Sequence, residues 1–510
     1  MHQAAFAHAV HSVRLVETHI SWVLLTGDYA YKIKKPVKLH FLDFSSLPLR
    51  LAACQDELQL NHRFAPELYL GVVPIVGSAD APQMDGVGTP FDYAVKMRQF
   101  PAAQQLDLLL VSGHLAMRDL ENFGRSLAAL HASLPTVPMT ADFGDAPQIQ
   151  APLGESLRDL KQGAENGDLH NALQTIGDWS VLRYTALLSA FGSRKLAGRV
   201  RECHGDLHLA NLVNLDRGIV PFDCIEFSAG LRSIDVFCDA AFLVMDLIYR
   251  GHAELAYAFL NGYIEEGGDY DGLRTLHYYL VYRALVRAKV AMIRSENAAS
   301  EQRDCHKSEC ADYVQLALSW TRHARPALIL MHGFAGSGKT STSAELMIRL
   351  PAIRVRSDVE RKRIHGMAPQ QRSESQLAAG IYTSSASEQV YIRLADIARV
   401  ILESGEIAVV DASFLQRGER RQFEDLAQQL GVPFALVDCQ APLPELDRRL
   451  AERACQATDA SEAGLEVLQY QLVHHDPLDA AEQVRTLSAQ TNSARTFDAL
   501  IRELRDLLGR

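Results

Sequence analysis

Short runs in which apolar and polar residues alternate fill the first hundred positions of the chain. A period of two is typical of half-buried strands, and turns such as Thr26-Gly27-Asp28 separate the runs. The pattern predicts strands over residues 10–17, 22–25, 29–34, 69–76 and 91–99. Leucines at helical spacing predict a helix over residues 50–64. These elements indicate an antiparallel meander with one inserted helix.

The pattern becomes largely helical from residue 107 to about residue 320, apart from the segment 202–227. A polar, basic stretch that ends at Pro326 then separates two parts of the chain. We expect an α+β domain over residues 1–321, with a sheet lobe to about residue 100 and a helical lobe after it.

Apolar strands alternate with helical stretches in the rest of the chain, which is typical of a parallel α/β sheet. The predicted strands are 327–332, 353–356, 407–411 and 434–438. We therefore expect a second, α/β domain over residues 326–510.

Composition limits the kind of protein. The chain has 510 residues, enough for two to four domains at roughly 100–200 residues each. It carries 51 Lys and Arg against 62 Asp and Glu, a net charge of −11, which argues against non-specific binding to DNA or anionic lipid. No apolar stretch approaches the roughly 18 residues that span a bilayer, and no signal segment opens the chain. The eight cysteines lack metal-ligand spacing. We expect a cytoplasmic protein with reduced thiols.

A phosphate-binding loop follows the first strand predicted in the C-terminal part. The residues that fit G-x-x-x-x-G-K-[ST] are Gly333, Phe334, Ala335, Gly336, Ser337, Gly338, Lys339 and Thr340, and Ser341 follows them. Glycines let backbone N–H groups turn toward phosphate oxygens, and the next helix adds a positive dipole. We expect Lys339 to reach the terminal phosphates of ATP and Thr340 to offer its hydroxyl to Mg²⁺. An ordinary glycine-rich turn is the alternative.

Two carboxylates are predicted at the same edge of this sheet. Asp411 ends an apolar strand, where it would serve as a Mg²⁺ or substrate ligand. Asp358 follows the second strand, with Arg361 one helical turn later. Such a carboxylate can accept the proton of a substrate hydroxyl while the arginine binds a polar part of the substrate. The alternative is that Asp358 caps the following helix.

Three arginines lie on a predicted helix before the polar, small-residue stretch 456–464: Arg448, Arg449 and Arg453. This arrangement is typical of a mobile lid whose arginines neutralise the transferring phosphoryl group, and an exposed charged helix is the alternative.

The loop, the S-D-x-x-R element that begins at Ser357 and the arginine-rich lid together resemble the P-loop small-molecule kinases. That group contains gluconate kinase, chloramphenicol phosphotransferase and polynucleotide kinase. The resemblance implies that Asp358 is the general base, Arg361 a substrate contact and Arg453 a catalytic lid arginine. It does not identify the acceptor.

A second phosphotransfer pattern lies in the N-terminal part. The segment from His204 to Asn211 contains H-x-D-x-x-x-x-N, and Asp223 follows at the end of an apolar run. In a kinase-type site Asp206 would orient the acceptor hydroxyl, while Asn211 and Asp223 would bind Mg²⁺.

A lysine and a glutamate are also required of such a site. Lys32 and Lys34 share one face of a predicted strand, so either could reach the α/β-phosphates of ATP. Glu57, on the following helix, is the natural partner of that lysine.

The stretch from about residue 10 to 320 resembles the aminoglycoside phosphotransferase branch of the protein-kinase-like fold. The resemblance implies that Asp206 is catalytic, that Asn211 and Asp223 bind Mg²⁺, that Lys32 is the ATP lysine and that residues 97–100 form the adenine hinge. One departure is the turn at residues 18–21, which lacks a glycine-rich loop. A degenerate, non-catalytic domain is the alternative.

The order of the two parts resembles a bacterial family described as bifunctional aminoglycoside phosphotransferase-like and ATP-binding proteins. It implies an ATP- and Mg²⁺-dependent phosphotransferase with two nucleotide sites that acts on a hydroxyl of a small polar metabolite, such as a sugar, polyol or amino-sugar. We expect no membrane, nucleic-acid or obligate protein partner.

Two other functions stay open. One is a kinase for nucleic-acid ends, which requires a basic groove near Asp358. The basic residues there are Arg354, Arg356, Arg361, Lys362 and Arg363. The other is an ATP-binding regulatory protein whose N-terminal domain is not catalytic.

Overall fold

A computed structural model of the chain describes residues 5–39, 42–164, 167–322, 325–369, 371, 381, 383–456, 464–491 and 496–509. Among them, no helix combines the length and apolar character needed to cross a membrane. Seven cysteines are described, all as free thiols, and only that of Cys305 is exposed.

A six-stranded antiparallel sheet forms the N-terminal part, and its strand order is β1-β2-β3-β8-β6-β7. The strands are β1 (Arg14–Glu17), β2 (Ser21–Leu25), β3 (Tyr29–Lys34), β6 (Tyr69–Gly77), β7 (Pro82–Met84) and β8 (Asp92–Arg98). The small hairpin of β4 (Lys38–Leu39) and β5 (Leu42–Asp43) precedes helix α1 (Leu47–Asn61). The antiparallel sheet and the inserted helix are confirmed, although the first strand begins only at Arg14. The predicted meander holds for β1, β2 and β3 only, because β8 lies between β3 and β6.

Helices dominate the following two hundred residues. They are α2 (Leu106–Val111), α3 (Met117–Ser133), α4 (Ala146–Gly163), α5 (Asp168–Leu196), α6 (Ala229–Arg232), α7 (Val236–Tyr249), α8 (Ala253–Gly267), α9 (Leu273–Asn297) and α10 (Ser300–Ser319). Short strands interrupt them: β9 (Val200–Glu202), β10 (Leu212–Leu215), β11 (Gly218–Pro221) and β12 (Ser233–Asp235). The antiparallel pair β10–β11 lies between the two acidic segments of the predicted N-terminal site.

A five-stranded parallel sheet organises the C-terminal part, in the order β14-β15-β13-β16-β17. Its strands are β13 (Ala327–His332), β14 (Ala352–Arg356), β15 (Ile407–Asp411), β16 (Phe434–Gln440) and β17 (Thr486–Gln490). Its helices are α11 (Lys339–Arg349), α12 (Ser357–Ile364), α13 (Ser384–Glu403), α14 (Arg417–Leu430), α15 (Leu443–Gln456), α16 (Leu465–Val473), α17 (Ala480–Gln483) and α18 (Thr496–Leu507). The four predicted strands and the predicted fold class are confirmed. The sequence pattern missed β17, because TLSAQ is a polar edge strand without an apolar run.

The parallel sheet is buried because helices cover it. One cluster of buried apolar residues joins alternate positions of β13, such as Ile329 and Met331, to Leu346 of α11 and Leu504 of α18. Continuous apolar strands of this kind are typical of sheets covered on both faces. The buried strands hold the loops at their carboxyl ends in fixed positions.

Two compact units are present. The first comprises residues up to Asp119 with Leu130–Leu153 and Phe191–Asp246, and the second comprises Leu120–Ala129, Gly154–Ala190 and residues from Leu247 onward. Helices α8 to α10 therefore share a unit with the parallel sheet.

Candidate active sites

Lys32 and Lys34 lie side by side in the first compact unit, because alternate residues of β3 point to one face of the sheet. Both reach the buried carboxylate of Glu57 on α1, with Nζ–O distances of 2.8 Å from Lys32 and 2.5 Å from Lys34. Burial disfavours a charged Glu57, but the two ammonium groups outweigh it and lower its pKa to about 2. Either lysine could be the ATP lysine by sequence, and the structure places both on the predicted partner.

The two lysines differ in their second ion-pair partner. Lys32 is ion-paired with Asp223, whereas Lys34 is ion-paired with Glu226 and is fully buried. The Asp223 side chain is 44% exposed, and its backbone adopts a φ of 63°. A positive φ is unfavourable for aspartate and is found at functional loops. Lys32 therefore contacts the side chain predicted to bind metal, whereas Lys34 pairs with buried carboxylates.

The predicted catalytic loop is tied together by its own polar groups. Asn211 Nδ2 donates to Asp206 Oδ2 at 2.9 Å and to Asp206 O at 3.0 Å. The Asp206 side chain is 38% exposed and therefore accessible to an acceptor. Burial lowers the pKa of His204, and its neutral ring bridges Phe222 O (2.8 Å) and Asp206 N (3.3 Å). The ring thus joins the Asp206 loop to the residue before Asp223.

Asp239 supports this loop from behind. Its carboxylate accepts hydrogen bonds from His204 N at 3.0 Å and Gly205 N at 2.8 Å. His131 and Cys203 bring ligand-type atoms within 4.8 Å of this carboxylate, a grouping absent from the sequence spacing. Because burial raises the pKa of Cys203 well above its ordinary value, its thiol keeps its proton. The cluster therefore acts as a buried brace of the predicted catalytic loop.

The predicted adenine hinge, residues 97–100, ends next to Phe222, the residue before Asp223. The Phe100 ring packs edge-on against Phe222, with 5.1 Å between ring centroids. The Tyr69 hydroxyl accepts a hydrogen bond from Asp223 N at 3.0 Å. Burial raises the pKa of Tyr69 well above its ordinary value, so the hydroxyl stays protonated. These aromatic residues form an apolar floor beside the Lys32–Asp223 pair.

In the second compact unit, the loop after β13 is shaped by glycines. Gly333, Gly336 and Gly338 all have positive φ angles, of 136°, 77° and 90°. A Cβ atom on Gly333 would lie 2.5 Å from Cys439 O, so no other residue fits there without displacement. Lys339 Nζ donates to Gly333 O at 2.9 Å and to Phe334 O at 2.8 Å. The loop therefore has the backbone required of a phosphate cradle.

Polar groups in this cradle fit a nucleotide and a metal ion. The buried Ser337 hydroxyl has no hydrogen-bond partner among the described residues. Because buried polar groups are normally hydrogen-bonded, this hydroxyl is expected to bind a ligand. Ser343 Oγ, one turn after Thr340 on α11, lies 3.0 Å from Asp411 Oδ2. Asp411 is the last residue of β15, paired in register with Met331 of β13. Thr340 and Asp411 are therefore oxygen donors on adjoining elements, which suits Mg²⁺.

Asp358 and Arg361 lie on α12, directly after β14. Helix α12 begins at Ser357 after Arg356 as N-cap, and no side chain caps it, so the capping alternative for Asp358 is wrong. No described residue forms a hydrogen bond or ion pair with the Asp358 carboxylate, which leaves it available to a substrate. Arg361 Nη1 donates to Ile381 O at 3.1 Å and to Ser387 Oγ at 3.2 Å.

The predicted lid arginines differ in their contacts. Arg448 is exposed and pairs with Glu445 on its own helix at 2.7 Å. Arg449 donates to Thr491 Oγ1 at 2.9 Å, and that hydroxyl donates to Ser337 O at 2.7 Å. Arg449 is therefore anchored to the phosphate loop. The side chain of Arg453 and residues 457–463 lie outside the described residues.

The basic segment near Asp358 is not an open groove. Arg354 and Lys362 are buried, and Lys362 donates to Pro369 O at 3.2 Å. Arg363 is ion-paired with Glu360. The basic surface that a nucleic-acid end requires is therefore not present in this segment.

A polar chain beside the phosphate loop was not predicted. The Tyr391 hydroxyl lies 3.3 Å from Ser413 Oγ and accepts from Phe414 N at 3.3 Å. Ser413 O in turn accepts from Gly333 N at 3.2 Å. Burial raises the pKa of Glu419 to about 7, against an opposing hydrogen bond from Tyr391. No local spacing joins these residues, so the sequence held no signal for them.

Comparison with known protein families matches both parts of the chain. Residues 43–276 match the model described as "Phosphotransferase enzyme family", and residues 328–478 match the model described as "AAA domain". Uncharacterized proteins of Mycobacterium tuberculosis and Mycobacterium bovis are each 28% identical over 448 residues, which is 87% of either chain.

Solved structures resemble each part separately. A choline kinase from Cryptosporidium parvum covers 60% of this chain and 88% of its own, with 12% identity and a TM-score of 0.39. A gluconokinase from Sinorhizobium meliloti covers 37% of this chain and 94% of its own, with 21% identity and a TM-score of 0.26. The family matches therefore give the chain a domain similar to the phosphotransferase enzyme family, followed by a P-loop domain similar to the AAA model, and they support a phosphotransferase enzyme.

Proposed function

We propose that the chain transfers the γ-phosphoryl group of ATP, with Mg²⁺, to a hydroxyl of a small polar metabolite, and that it has two nucleotide sites. The observation that carries the proposal is the position of Lys32, which is held between buried Glu57 and partly exposed Asp223. A phosphate that approaches Asp223 through a metal ion meets a lysine already fixed in place, so little ordering is left to occur on binding.

In the first site, Lys32 would bind the phosphates, and Asn211 and Asp223 would bind the metal ion. Bound Mg²⁺ would supply positive charge that offsets the charge of the phosphates. Asp206 would orient the acceptor hydroxyl and accept its proton. The hydroxyl oxygen forms a bond to the γ-phosphorus as the bond from that phosphorus to the ADP oxygen breaks.

In the second site, the loop N–H groups and Lys339 would bind the phosphates, and Thr340 and Asp411 would bind the metal ion. Asp358 would accept the proton of the acceptor hydroxyl, and Arg361 would contact the substrate. The unpartnered Ser337 hydroxyl and the three left-handed glycines support a nucleotide here. The described segment 354–363 offers no open basic groove, because Arg354 and Lys362 are buried and Arg363 is ion-paired, and this favours a small acceptor over a nucleic-acid end.

The test is transfer of labelled γ-phosphate from ATP into a fractionated metabolite extract by the full-length chain. The variants Asp206→Ala and Lys339→Ala each remove one site, and we expect each to abolish a different labelled product by about 10²–10³-fold or more. Asp216→Ala and Lys307→Ala are matched controls, because both side chains are exposed and lie outside the two sites.

The outcomes separate the possibilities. Two products, each lost in one variant, establish two active sites. Loss only in Lys339→Ala contradicts the two-site proposal and makes the N-terminal domain regulatory or degenerate. Bound ATP without any labelled product overturns the small-molecule proposal as a whole.

A further inference from the structure

β14 is an edge strand of the parallel sheet, since β15 is the only strand that pairs with it among the described residues. An edge strand leaves one row of backbone N–H and C=O groups without strand partners. Helix α12, with Asp358 and Arg361, follows β14 without an intervening loop. We call Ala352–Ile364, which comprises β14 and α12, the acceptor segment. Whatever fixes the free edge of β14 also fixes Asp358.

Asn261 of α8 occupies this free edge within the second compact unit. Its Nδ2 donates to Ala352 O at 2.9 Å, and its Oδ1 accepts from Arg354 N at 2.7 Å. One side-chain amide thus pairs with the C=O of one residue and the N–H two residues later, as a neighbouring strand would. Asn261 is buried, with 8% of its surface exposed, so water does not replace these bonds.

Glu265, one turn later on α8, binds the side chains of the same strand. Its carboxylate lies 3.5 Å from Arg354 and 3.7 Å from Arg356, and Arg125 of α3 donates to it at 3.0 Å. Burial disfavours the charge, but the three arginines outweigh it and lower the pKa of Glu265. Arg356 is the N-cap of α12. The charge network therefore extends to the start of the helix that carries Asp358.

The other end of α12 is also bound to α8. Arg363 donates to Glu265 O and, at 3.5 Å, to Glu266 O, which are carbonyls of the last turn of α8. Carbonyls at a helix C-terminus lack intrahelical donors and carry partial negative charge, which suits an arginine. Gly268 makes this contact possible, because a Cβ there would lie 2.7 Å from Arg363 Nε. The acceptor segment is thus held at both ends.

We propose that α8 positions the acceptor side of the P-loop site, with Asn261 and Glu265 as positioning residues that fix Asp358 and Arg361 relative to the phosphate loop. The inference rests on the proposed function of that site. It predicts that loss of these contacts impairs use of the acceptor while ATP binding persists, because residues 333–340 make no described hydrogen bond or ion pair with Asn261 or Glu265. Asn261 does contact α11, at Met347 Sδ, but at 4.0 Å and about two turns after Thr340.

The test uses the full-length chain with Asp206→Ala as background, so that only the P-loop site transfers phosphate. Asn261→Leu keeps the volume but leaves Ala352 O and Arg354 N unpaired. Glu265→Gln keeps the shape but removes the charge from the arginine cluster. Glu266→Gln is the matched control for charge, since only its backbone contacts Arg363.

A second control removes an anchor of the same helix at a different place. Tyr257 OH donates to the buried Glu406 at 2.7 Å, at the opposite end of the sheet from Asp358, just before β15 begins. Tyr257→Phe deletes this bond and leaves the acceptor segment untouched. This variant therefore shows what the loss of a contact of α8 does to the protein when the contacts of the acceptor segment are kept.

Three quantities are measured: hydrogen exchange of residues 352–364, affinity for a fluorescent ATP analogue, and kcat and KM for the acceptor whose product requires Lys339. In Asn261→Leu and Glu265→Gln we expect exchange to accelerate at least 10-fold and acceptor kcat/KM to fall at least 10-fold. Nucleotide affinity should stay within 2-fold, and both controls should resemble the background.

Unchanged exchange in the two variants overturns the inference. So does a parallel loss of nucleotide affinity and transfer that Tyr257→Phe reproduces, since that pattern marks a general structural role. If the background protein phosphorylates no acceptor, the proposed function of the site fails, and hydrogen exchange still decides whether Asn261 and Glu265 fix the acceptor segment.

Discussion

The two predicted phosphate sites hold their lysines in different ways. Lys32 depends on partners 25 and 191 positions away in the chain, Glu57 and Asp223. Lys339 is held by carbonyls five and six positions before it. The lysine of the first site is therefore placed only when distant segments have folded together, whereas the lysine of the second is held within one loop.

Buried carboxylates extend the contrast. Glu57 has two ammonium partners, and these lower its pKa to about 2. Glu419 is only partly exposed and has no ammonium partner of this kind among the described residues, and the loss of hydration raises its pKa to about 7. The same side chain is thus a fixed charge in the first compact unit and a group on the border of ionisation in the second.

The largest expected effect comes from Glu57→Ala, which leaves Lys32 and Lys34 without their shared buried partner. Breaking a buried pair at one side costs about 3–5 kcal/mol, because the remaining charge stays desolvated. We expect the unfolding midpoint in urea to fall and the Asp206-dependent product to disappear. Asp56→Ala, an exposed site on the same helix, should change neither. A Glu57→Ala protein as stable as wild type would show that the lysines relax into water.

Acid should weaken the same contact. The folded-state pKa of Glu57 lies below the ordinary value of 4.5, so its stabilising contribution is complete above about pH 5 and is lost as pH falls toward 2. The loss is on the order of 3 kcal/mol by linkage. Urea unfolding at pH 7, 5 and 3 should show it in wild type and not in Glu57→Gln. Equal slopes for both proteins would contradict the assigned pairing.

Glu419→Gln should act in the opposite direction. Because the folded-state pKa of about 7 lies above 4.5, ionisation of Glu419 costs stability as pH rises through this interval. The variant should be more stable than wild type by about 1–2 kcal/mol at pH 8, with discount for partial exposure, and equal to it at pH 4. Thermal unfolding across pH 4–8 measures the difference. A variant that is less stable at pH 8 would mean that Glu419 is charged and paired.

Gly338→Ala tests how far the second site depends on one loop. A φ of 90° costs an alanine about 1–2 kcal/mol, and its Cβ would lie 3.1 Å from Thr491 Cβ and 3.2 Å from Arg449 Nη1. We expect ATP affinity at this site to fall about 10-fold. Gly431 also has a positive φ, but a Cβ added there would have no atom within 4 Å. We therefore expect Gly431→Ala to lower stability without a change in ATP affinity. Equal affinities would show that the cradle tolerates the shift.

Short local patterns in the sequence were sufficient to predict both loops and the strands around them. The phosphate loop, the H-x-D-x-x-x-x-N loop and the strands around them are short segments whose spacing reflects backbone geometry, and the structure has them where predicted. The roles assigned to Asp206, Asp358 and Arg361 stay predictions.

Residues that act through distant partners escaped the sequence. The strand pattern does not distinguish Lys34 from Lys32. They differ through tertiary contacts, since Lys34 is bonded to Glu226, 192 positions away. Asn261 is bonded to Ala352 of β14, which lies 91 positions later in the chain. No sequence pattern predicts that an asparagine within a helix pairs with a strand. Tertiary contacts of this kind are fixed by the whole fold and leave no periodic signal.

The cover of β14 has a consequence for synthesis of the chain. Asn261 precedes its partners Ala352 and Arg354 by 91 and 93 residues, so α8 leaves the ribosome well before the strand edge that it occupies. Uncovered strand edges recruit other chains and promote aggregation. Because the cover is made first, this edge can be closed as soon as it emerges, and the nascent chain is protected from pairing with other chains at β14.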